Sequence, residues 1–476
     1  MAKKKILFIS SEAVPFIKTG GLADVAGTLP EYFDKRKYDV RVILPKYACL
    51  KKQEELKFLF SLNVRLAWRN QYAGVFEAKH NGITYYFIDN EFYFKTDAPY
   101  GEARGDIEKF AFFCRAVLTV MPQLQFKPDI IHCHDWQSAM VPVYLFDEFK
   151  KDDFYKDVKT IFTIHNLKFQ GIYSKDIVED VLGVSNQYFE NGSLEQHGNA
   201  NLLKGALTFS DIITTVSDTY AQEIKTAFYG EGLNDFILYR QNDLFGIVNG
   251  IDYKTFDPKC DSLIYAPYSK GNITNKGINK ASLQKEMGLP QEKDAFLIGI
   301  VSRLTDQKGF DLIDCVLDEI LKQNVQIVVL GTGEKRYEDM FRYFEQQYPE
   351  KLKVNLCYNE ELSHKIYAGC DGFLMPSLFE PCGLSQLMSL RYGTIPIVRE
   401  TGGLKDTVTA FNEFDQTGTG FSFKNYNAHD MLYTVKYALA IFNDKQQWNG
   451  IVKRAMNMDY SWKNSAKEYQ KLYENL

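Results

Sequence analysis

No apolar stretch in this chain is long enough to cross a bilayer, which removes the integral membrane class. The start comes nearest to a targeting segment, because Lys3-Lys4-Lys5 runs into Ile6-Leu7-Phe8-Ile9. That run stops at Ser10-Ser11-Glu12, too short for the apolar core of a signal peptide, and is read as a first strand of a cytoplasmic protein. Cys-x-x-Cys spacing is also missing. The eight cysteines (Cys49, Cys114, Cys133, Cys260, Cys315, Cys357, Cys370 and Cys382) are scattered, several in apolar runs where a reduced thiol packs as a small hydrophobe. Disulfide scaffolds and structural zinc are therefore set aside. A net charge of -5 with no like-charge block beyond the three lysines leaves no footprint for nucleic acid or an acidic membrane. Low-complexity tracts and short-period repeats are absent as well.

What is present is alternation. At 476 residues, 45% hydrophobic and 25% charged, the chain suits two globular domains better than one core. Strand-like runs at Ile6 to Ser10, Val40 to Leu44, Tyr85 to Ile88, Asp129 to His132, Thr160 to Ile164 and Ile212 to Val216 alternate with helical patterns. Those patterns lie near Leu22 to Phe33, Ile107 to Met121, Gln137 to Phe149 and Thr219 to Phe228. A polar, irregular stretch from Gly246 to Lys276 interrupts the series. A second series follows, with strands near Phe296 to Ser302, Val325 to Leu330, Leu352 to Cys357, Gly372 to Met375 and Ile395 to Val398. Its helices are expected at Phe310 to Lys322, Glu334 to Tyr348, Glu360 to Gly369, Leu384 to Tyr392 and Leu404 to Phe411. Such alternation implies parallel sheets covered on both faces, with ligands at the carboxyl ends of the strands. The expected architecture is α/β: two doubly wound, Rossmann-like domains facing a cleft. Their expected bounds are 1–245 and 246–456, with a last helix over 457–476 returning to the first.

Two similar turns stand far apart, Lys18-Thr19-Gly20-Gly21-Leu22-Ala23-Asp24 and Glu400-Thr401-Gly402-Gly403-Leu404-Lys405-Asp406. Each follows a strand and opens a helix, so each is expected to offer free N–H groups to an anion. Ser302-Arg303-Leu304-Thr305-Asp306-Gln307-Lys308-Gly309 brings two cations to a strand end, either to neutralise a departing diphosphate or simply as a solvated loop paired through Asp306. Leu378-Phe379-Glu380-Pro381-Cys382-Gly383-Leu384 sets a carboxylate before a helix start, where Glu380 either caps the helix or holds sugar hydroxyls. Gly331-Thr332-Gly333 begins a dinucleotide fingerprint that Arg336 interrupts.

His132-Cys133-His134-Asp135-Trp136 invites a metal, yet no downstream His or Cys completes a ligand set. Asp135 and Trp136 suit sugar recognition instead, a carboxylate for hydroxyls and an indole face for a pyranose, unless Trp136 is core. Thr163-Ile164-His165-Asn166 ends another strand, where His165 is either a buried structural histidine or a substrate contact. An apolar-flanked Asp-x-Asp, the device by which single-domain sugar transferases hold a metal on the diphosphate, is not found. Lys18, Arg303 and Lys308 would supply the positive charge, with no metal and no cofactor.

Together these collinear motifs, with Asn249-Gly250-Ile251-Asp252, resemble the bacterial glycogen synthases and plant starch synthases, retaining glycosyltransferases of the GT-B fold, over nearly the whole chain. The resemblance implies transfer of glucose from ADP-glucose or UDP-glucose to the non-reducing end of an α-1,4-glucan such as glycogen. It implies donor contacts at Lys18, Gly20, Gly21, Asp24, Asn249, Arg303, Lys308, Tyr358, Cys382, Gly383 and Leu384. Tyr358 matches the aromatic that stacks on the base. Catalytic positions fall on Glu380, His165, Arg303, Lys308 and Asp135, and acceptor positions on Glu12, Tyr100, Asp135 and Trp136. Many transferases of the wider clan carry a second glutamate eight residues after the first; here Met388 stands there, as suits the glycogen synthases.

Other classes fit less well. A two-domain binding protein has no need of Arg303 and Lys308 beside a sugar-facing carboxylate. A dehydrogenase needs the complete glycine fingerprint, and a glucan phosphorylase a pyridoxal lysine and a longer chain. The remaining alternative is a retaining nucleotide-sugar transferase with another acceptor.

Overall fold

The run Lys4–Ile9 is buried from Ile6 to Ile9, as a central parallel strand covered on both faces must be. It lies in a computed structural model that describes residues 3–101 and 103–476. Around it a nine-stranded sheet assembles in the order Leu244–Gly246, Ile212–Thr215, Lys159–Ile164, Ile130–His134, Lys4–Ile9, Tyr38–Pro45, Ile83–Asp89, Arg69–His80 and Lys57–Leu66. The first seven of these run parallel, and the last two join antiparallel.

The antiparallel pair departs from the purely parallel sheet expected from the alternation. Lys57–Leu66 and Arg69–His80 form a hairpin whose exposed face carries Phe58, Ser61, Asn63 and Tyr72. Half-solvated strands show too little apolar character to read as parallel-sheet strands. A separate small antiparallel sheet links Ile172–Ser174, Asn199–Asn201 and Glu195–Gln196.

The second sheet has six parallel strands in the order Leu352–Asn355, Val325–Leu330, Phe296–Val301, Gly372–Met375, Ile395–Arg399 and Phe421–Phe423. Numbered along the chain this is 3-2-1-4-5-6, the order of an open dinucleotide-type sheet. The parallel part of the first sheet follows the same rule, with its order reversing between Lys4–Ile9 and Ile130–His134. Two expectations change here. The stretch expected to be irregular up to Lys276 already contains the helix Thr274–Glu286, and the helix expected at Leu404 to Phe411 is Gly402–Thr407.

The chain divides into two compact units: residues up to Asn249 together with Trp462–Leu476, and Gly250–Ser461. Each has its own core, and no residue belongs to both. The helix Trp462–Asn475 is amphipathic and buries Trp462, Tyr469 and Tyr473 in the first unit. Tyr473 stacks near Phe33 with ring centroids 5.4 Å apart, and its hydroxyl lies 2.8 Å from Nδ1 of His132. Within the second unit, Ile251 and Ser461 form a parallel bridge in which Ile251 N–H donates to the Tyr460 carbonyl at 2.8 Å.

Candidate functional site

In an open parallel sheet the connections diverge where the strand order reverses, and the carboxyl ends of those two strands border a crevice. In the first unit these strands are Lys4–Ile9 and Ile130–His134, which deliver Ser10-Ser11-Glu12 and Asp135. Glu12 is buried, and its carboxylate accepts from Thr19 N–H, from Thr19 Oγ1 at 3.0 Å and from Tyr100 OH at 3.2 Å. Burial raises the Glu12 carboxyl above the ordinary range, while these donors and the Gly20 N–H pull it back. Thr19 and Gly20 immediately precede the helix Gly21–Thr28. The amide groups expected to be free for an anion are thus already turned toward an internal carboxylate. Lys18 pairs with Asp24 at 2.8 Å, and the space where a Gly20 side chain would stand is open.

Asp135 holds φ 56° and ψ 178°, a backbone region that is almost confined to glycine. Such strain costs about 1–3 kcal/mol and persists where the surroundings enforce it, typically at working sites. Here the enforcement is visible: Asp135 Oδ1 accepts from His165 N–H at 2.7 Å, and Asp135 N–H donates to the Thr163 carbonyl at 3.0 Å. Burial pushes the Asp135 carboxyl up to about 7, against the pull of the His165 and Asn166 amides, and Glu12 adds to the rise. Trp136 is partly buried, edge-on to Phe110 at 5.2 Å, with Gly171 packed so closely that a Cβ there would sit 2.6 Å from its ring. His165 brings Nε2 to 3.0 Å from Nδ1 of His134, and burial holds its ring neutral, near 3. Glu12, Lys18, Gly20, Gly21, Asp24, Tyr100, Asp135, Trp136 and His165 therefore gather at one strand-order reversal. Asn249 closes this unit, buried, with Oδ1 unpartnered among the described residues.

The paired histidines of the same strand form no metal set. His132 is spent on Tyr473 OH and on Thr163 Oγ1 at 2.6 Å, and among the described residues no group of three or more His, Cys, Asp or Glu could hold a metal ion.

In the second unit the reversal lies between Phe296–Val301 and Gly372–Met375. The first strand leads into the Arg303 to Gly309 loop and the second into Ser377 to Leu384. Gly309 has φ 74°, and a Cβ on it would come within 2.1 Å of the Pro376 carbonyl oxygen, so only glycine lets the loop settle on the neighbouring strand end. That settling places Lys308 Nζ 2.6 Å from Glu380 Oε2, which Ser377 Oγ also reaches at 3.0 Å. Both bonds use Oε2; Oε1 takes part in neither. A cavity of about 50 Å³ is lined by Ser302, Lys308, Ser377, Glu380, Gly383 and Leu384. Arg303 is exposed, Cys382 is buried, and Tyr358 is 79% exposed beyond the edge strand Leu352–Asn355. Asp306 pairs with Arg336, the residue occupying the missing third glycine position.

The second Gly-Gly turn has a different task from the first. Gly403 N–H donates to the carbonyls of Glu380 at 3.1 Å and Pro381 at 3.2 Å. A Cβ on Gly402 would lie 2.0 Å from the Glu380 carbonyl oxygen, and one on Gly403 2.1 Å from that of Cys382. This turn is a buttress behind Glu380, correcting the expectation of a matched pair of anion sites. Arg399, unnoticed in the sequence, supports the same segment by donating from Nη1 to the carbonyls of Ser377 at 3.3 Å and Leu378 at 2.5 Å. Its signal was weak, a lone arginine closing the apolar strand Ile395–Arg399.

Carboxylates with a spare oxygen suit hydroxyl recognition, and a lysine beside a helix start suits a phosphate. The comparisons with known proteins agree in kind. Residues 5–238 match the starch synthase catalytic domain, and residues 284–453 match glycosyl transferases group 1. A glycogen synthase of Lachnoclostridium phytofermentans is 57% identical, with 99% of this chain and 100% of that protein aligned. One from Anoxybacillus flavithermus is 51% identical over 99% of this chain and 98% of its own. Among solved structures, the catalytic domain of starch synthase IV from Arabidopsis thaliana, bound to ADP and acarbose, superposes with a TM-score of 0.93 at 33% identity, covering 100% of this chain and 99% of that one. Sucrose-phosphate synthase from Thermosynechococcus elongatus, with a TM-score of 0.64 and 15% identity, shares the fold alone. From its two doubly wound sheets to its full-length relatives, this chain belongs to the glycogen and starch synthase family of GT-B glycosyltransferases.

Proposed function

We propose that the protein is a glycogen synthase, transferring glucose from ADP-glucose to the non-reducing end of an α-1,4-glucan with retention of configuration, with UDP-glucose as the other candidate donor. The observation that carries this reading is the Lys308–Glu380 pair, 2.6 Å apart at the strand-order reversal and beside the helix start at Leu384. A carboxylate there faces hydroxyls through Oε1, while the lysine and the amides of Gly383 and Leu384 meet a phosphate.

In this reading the bond from the glucosyl C1 to the diphosphate breaks and the bond from C1 to the acceptor O4 forms on the same face. The acceptor proton passes to the departing phosphate oxygen. Lys308 and Arg303 stabilise the charge that grows on the diphosphate, a term worth about 3–4 kcal/mol per well-placed donor. Lys18, Gly20, Gly21, Asp24, Asn249 and Cys382 complete the donor contacts, and Tyr358 stacks on the base. Glu380 and His165 hold the transferred glucose; Asp135, Trp136, Glu12 and Tyr100 serve the acceptor side. We place the enzyme in the cytoplasm, where its eight free cysteines stay reduced.

The test is release of nucleoside diphosphate from ADP-glucose and from UDP-glucose, each with and without a glycogen primer. Primer-dependent release from ADP-glucose is expected. A preference for UDP-glucose would change the donor and keep the chemistry, whereas no primer-dependent release from either would overturn the reading.

A further inference from the structure

His134 has no part in the proposed reaction, yet it is among the most confined side chains of the first unit. It ends the strand Ile130–His134, is fully buried, and stacks on His132 with centroids 4.3 Å apart. Phe8 covers it at 5.1 Å. Its Nδ1 lies 3.0 Å from Nε2 of His165, and its own Nε2 is buried with no hydrogen-bond partner among the described residues.

Burial holds both rings neutral: His165 near 3, and His134 well below its usual range, with the neighbouring rings of His132 and His165 adding to the effect. A neutral imidazole carries one N–H and one bare nitrogen. A contact between two such rings therefore contains one proton, and only two arrangements exist. If His165 donates from Nε2, the proton of His134 must sit on its own Nε2, a buried N–H aimed at no acceptor. If His134 donates from Nδ1, its Nε2 is a bare nitrogen among aromatic faces. An orphaned buried N–H is the rarer arrangement in folded proteins, so the second is favoured.

The consequence falls on His165. We propose that His134 is a positioning residue for catalysis: by donating from Nδ1 to Nε2 of His165, it fixes His165 as the tautomer protonated on Nδ1, a ready-made donor to a hydroxyl of the transferred sugar. The strand end thereby holds its neighbour twice, His134 taking the ring and Asp135 taking the backbone N–H of the same residue. The catalytic part of this proposal rests on the role given above to His165; the tautomer does not.

The protein contains seven histidines, few enough for two-bond proton–nitrogen correlation spectra of the histidine-labelled chain, with His165 assigned by its loss in His165→Gln. Wild type should show His165 protonated on Nδ1 across pH 6 to 8. In His134→Phe, which keeps the stack and removes the donor, the His165 pattern should move toward protonation on Nε2, and kcat for primed transfer from ADP-glucose should fall about tenfold or more with KM little changed. His134→Asn, whose amide nitrogen replaces Nδ1, should restore both the pattern and most of kcat. Wild-type His165 protonated on Nε2 would overturn the proposal without any variant, so a failure of His134→Phe to fold does not protect it. An altered tautomer with unchanged kcat would overturn the catalytic role of His134. If His165→Gln itself kept full turnover while the wild-type tautomer stood as expected, the fault would lie in the reading of His165 instead.

Discussion

Asp135 is the residue on which most of the first unit's site chemistry converges, and its charge state carries a measurable cost. Its carboxyl sits at about 7 in the fold, against about 4 in an unfolded chain. Below pH 4 the group is neutral in both states and nothing is lost. As pH rises from 4 through 7 the unfolded chain ionises first, so stability falls, by as much as ~4 kcal/mol once the pH exceeds 7. Asp135→Asn keeps an Oδ1 acceptor for the His165 amide and removes the ionisation. Urea titrations should find the variant equal to wild type near pH 4 and progressively more stable up to pH 8; a pH-independent difference would contradict the assignment. Asp135 and Glu380 were both legible in the sequence because each follows an apolar run that could only be a strand. Ser377 and Arg399 were not, since a serine donating to a carboxylate three residues on and an arginine donating to carbonyls more than twenty residues back leave no local pattern. The Gly402-Gly403 pair misled for a related reason. Glycine is required both where an anion must approach and where two backbones touch, and the local sequence does not separate the two needs.

Among the elements, the central parallel strands were legible to within a few residues, while the short edge strands Leu244–Gly246 and Phe421–Phe423 and the helix Thr274–Glu286 were not. For the helix, its lysines explain why. In a polar stretch their charge gives no sign of packing, yet Lys280 is buried, Lys276 is partly buried, and both donate inward. Lys276 Nζ serves the carbonyls of Ala368 at 3.0 Å and Tyr392 at 3.2 Å, and Lys280 Nζ serves that of Lys293 at 2.8 Å and pairs with Asp371 at 2.7 Å. Asp371 Oδ2 in turn accepts from the Leu297 amide at 3.0 Å, tying the helix to the start of the central strand. Removing one partner of such a pair strands the other charge. Lys280→Ala should therefore cost about 3–5 kcal/mol in a urea titration of the full chain. Adding Asp371→Ala should return part of that loss, and a strictly additive double variant would deny the coupling. The hairpin Lys57–His80 escaped for the opposite reason, since one exposed face dilutes the apolar signal that marks a parallel strand.

Across the whole molecule the two cores share no residue, so the two units have separate sources of cohesion. Calorimetry should resolve two transitions. Saturating ADP should raise the one belonging to Gly250–Ser461, by about 2.7 kcal/mol at a hundredfold excess over its Kd. For a unit of this size that corresponds to about 5–10 °C. A shift of the other transition alone would count against placing the diphosphate contacts at Lys308, Gly383 and Leu384.

The interleaving of the first unit also sets a timetable. A ribosome makes residues up to Asn249, then all of Gly250–Ser461, and only afterwards the helix that carries Trp462, Tyr469 and Tyr473. At about 5–20 residues per second the older segment waits tens of seconds with the pocket beside His132 and Phe33 still unfilled. The second unit needs no such late arrival and can finish first, although its strands are the later ones to be translated. Newly made chains thus pass through a stage in which the younger half is complete and the older half still exposes an aromatic hollow to chaperones.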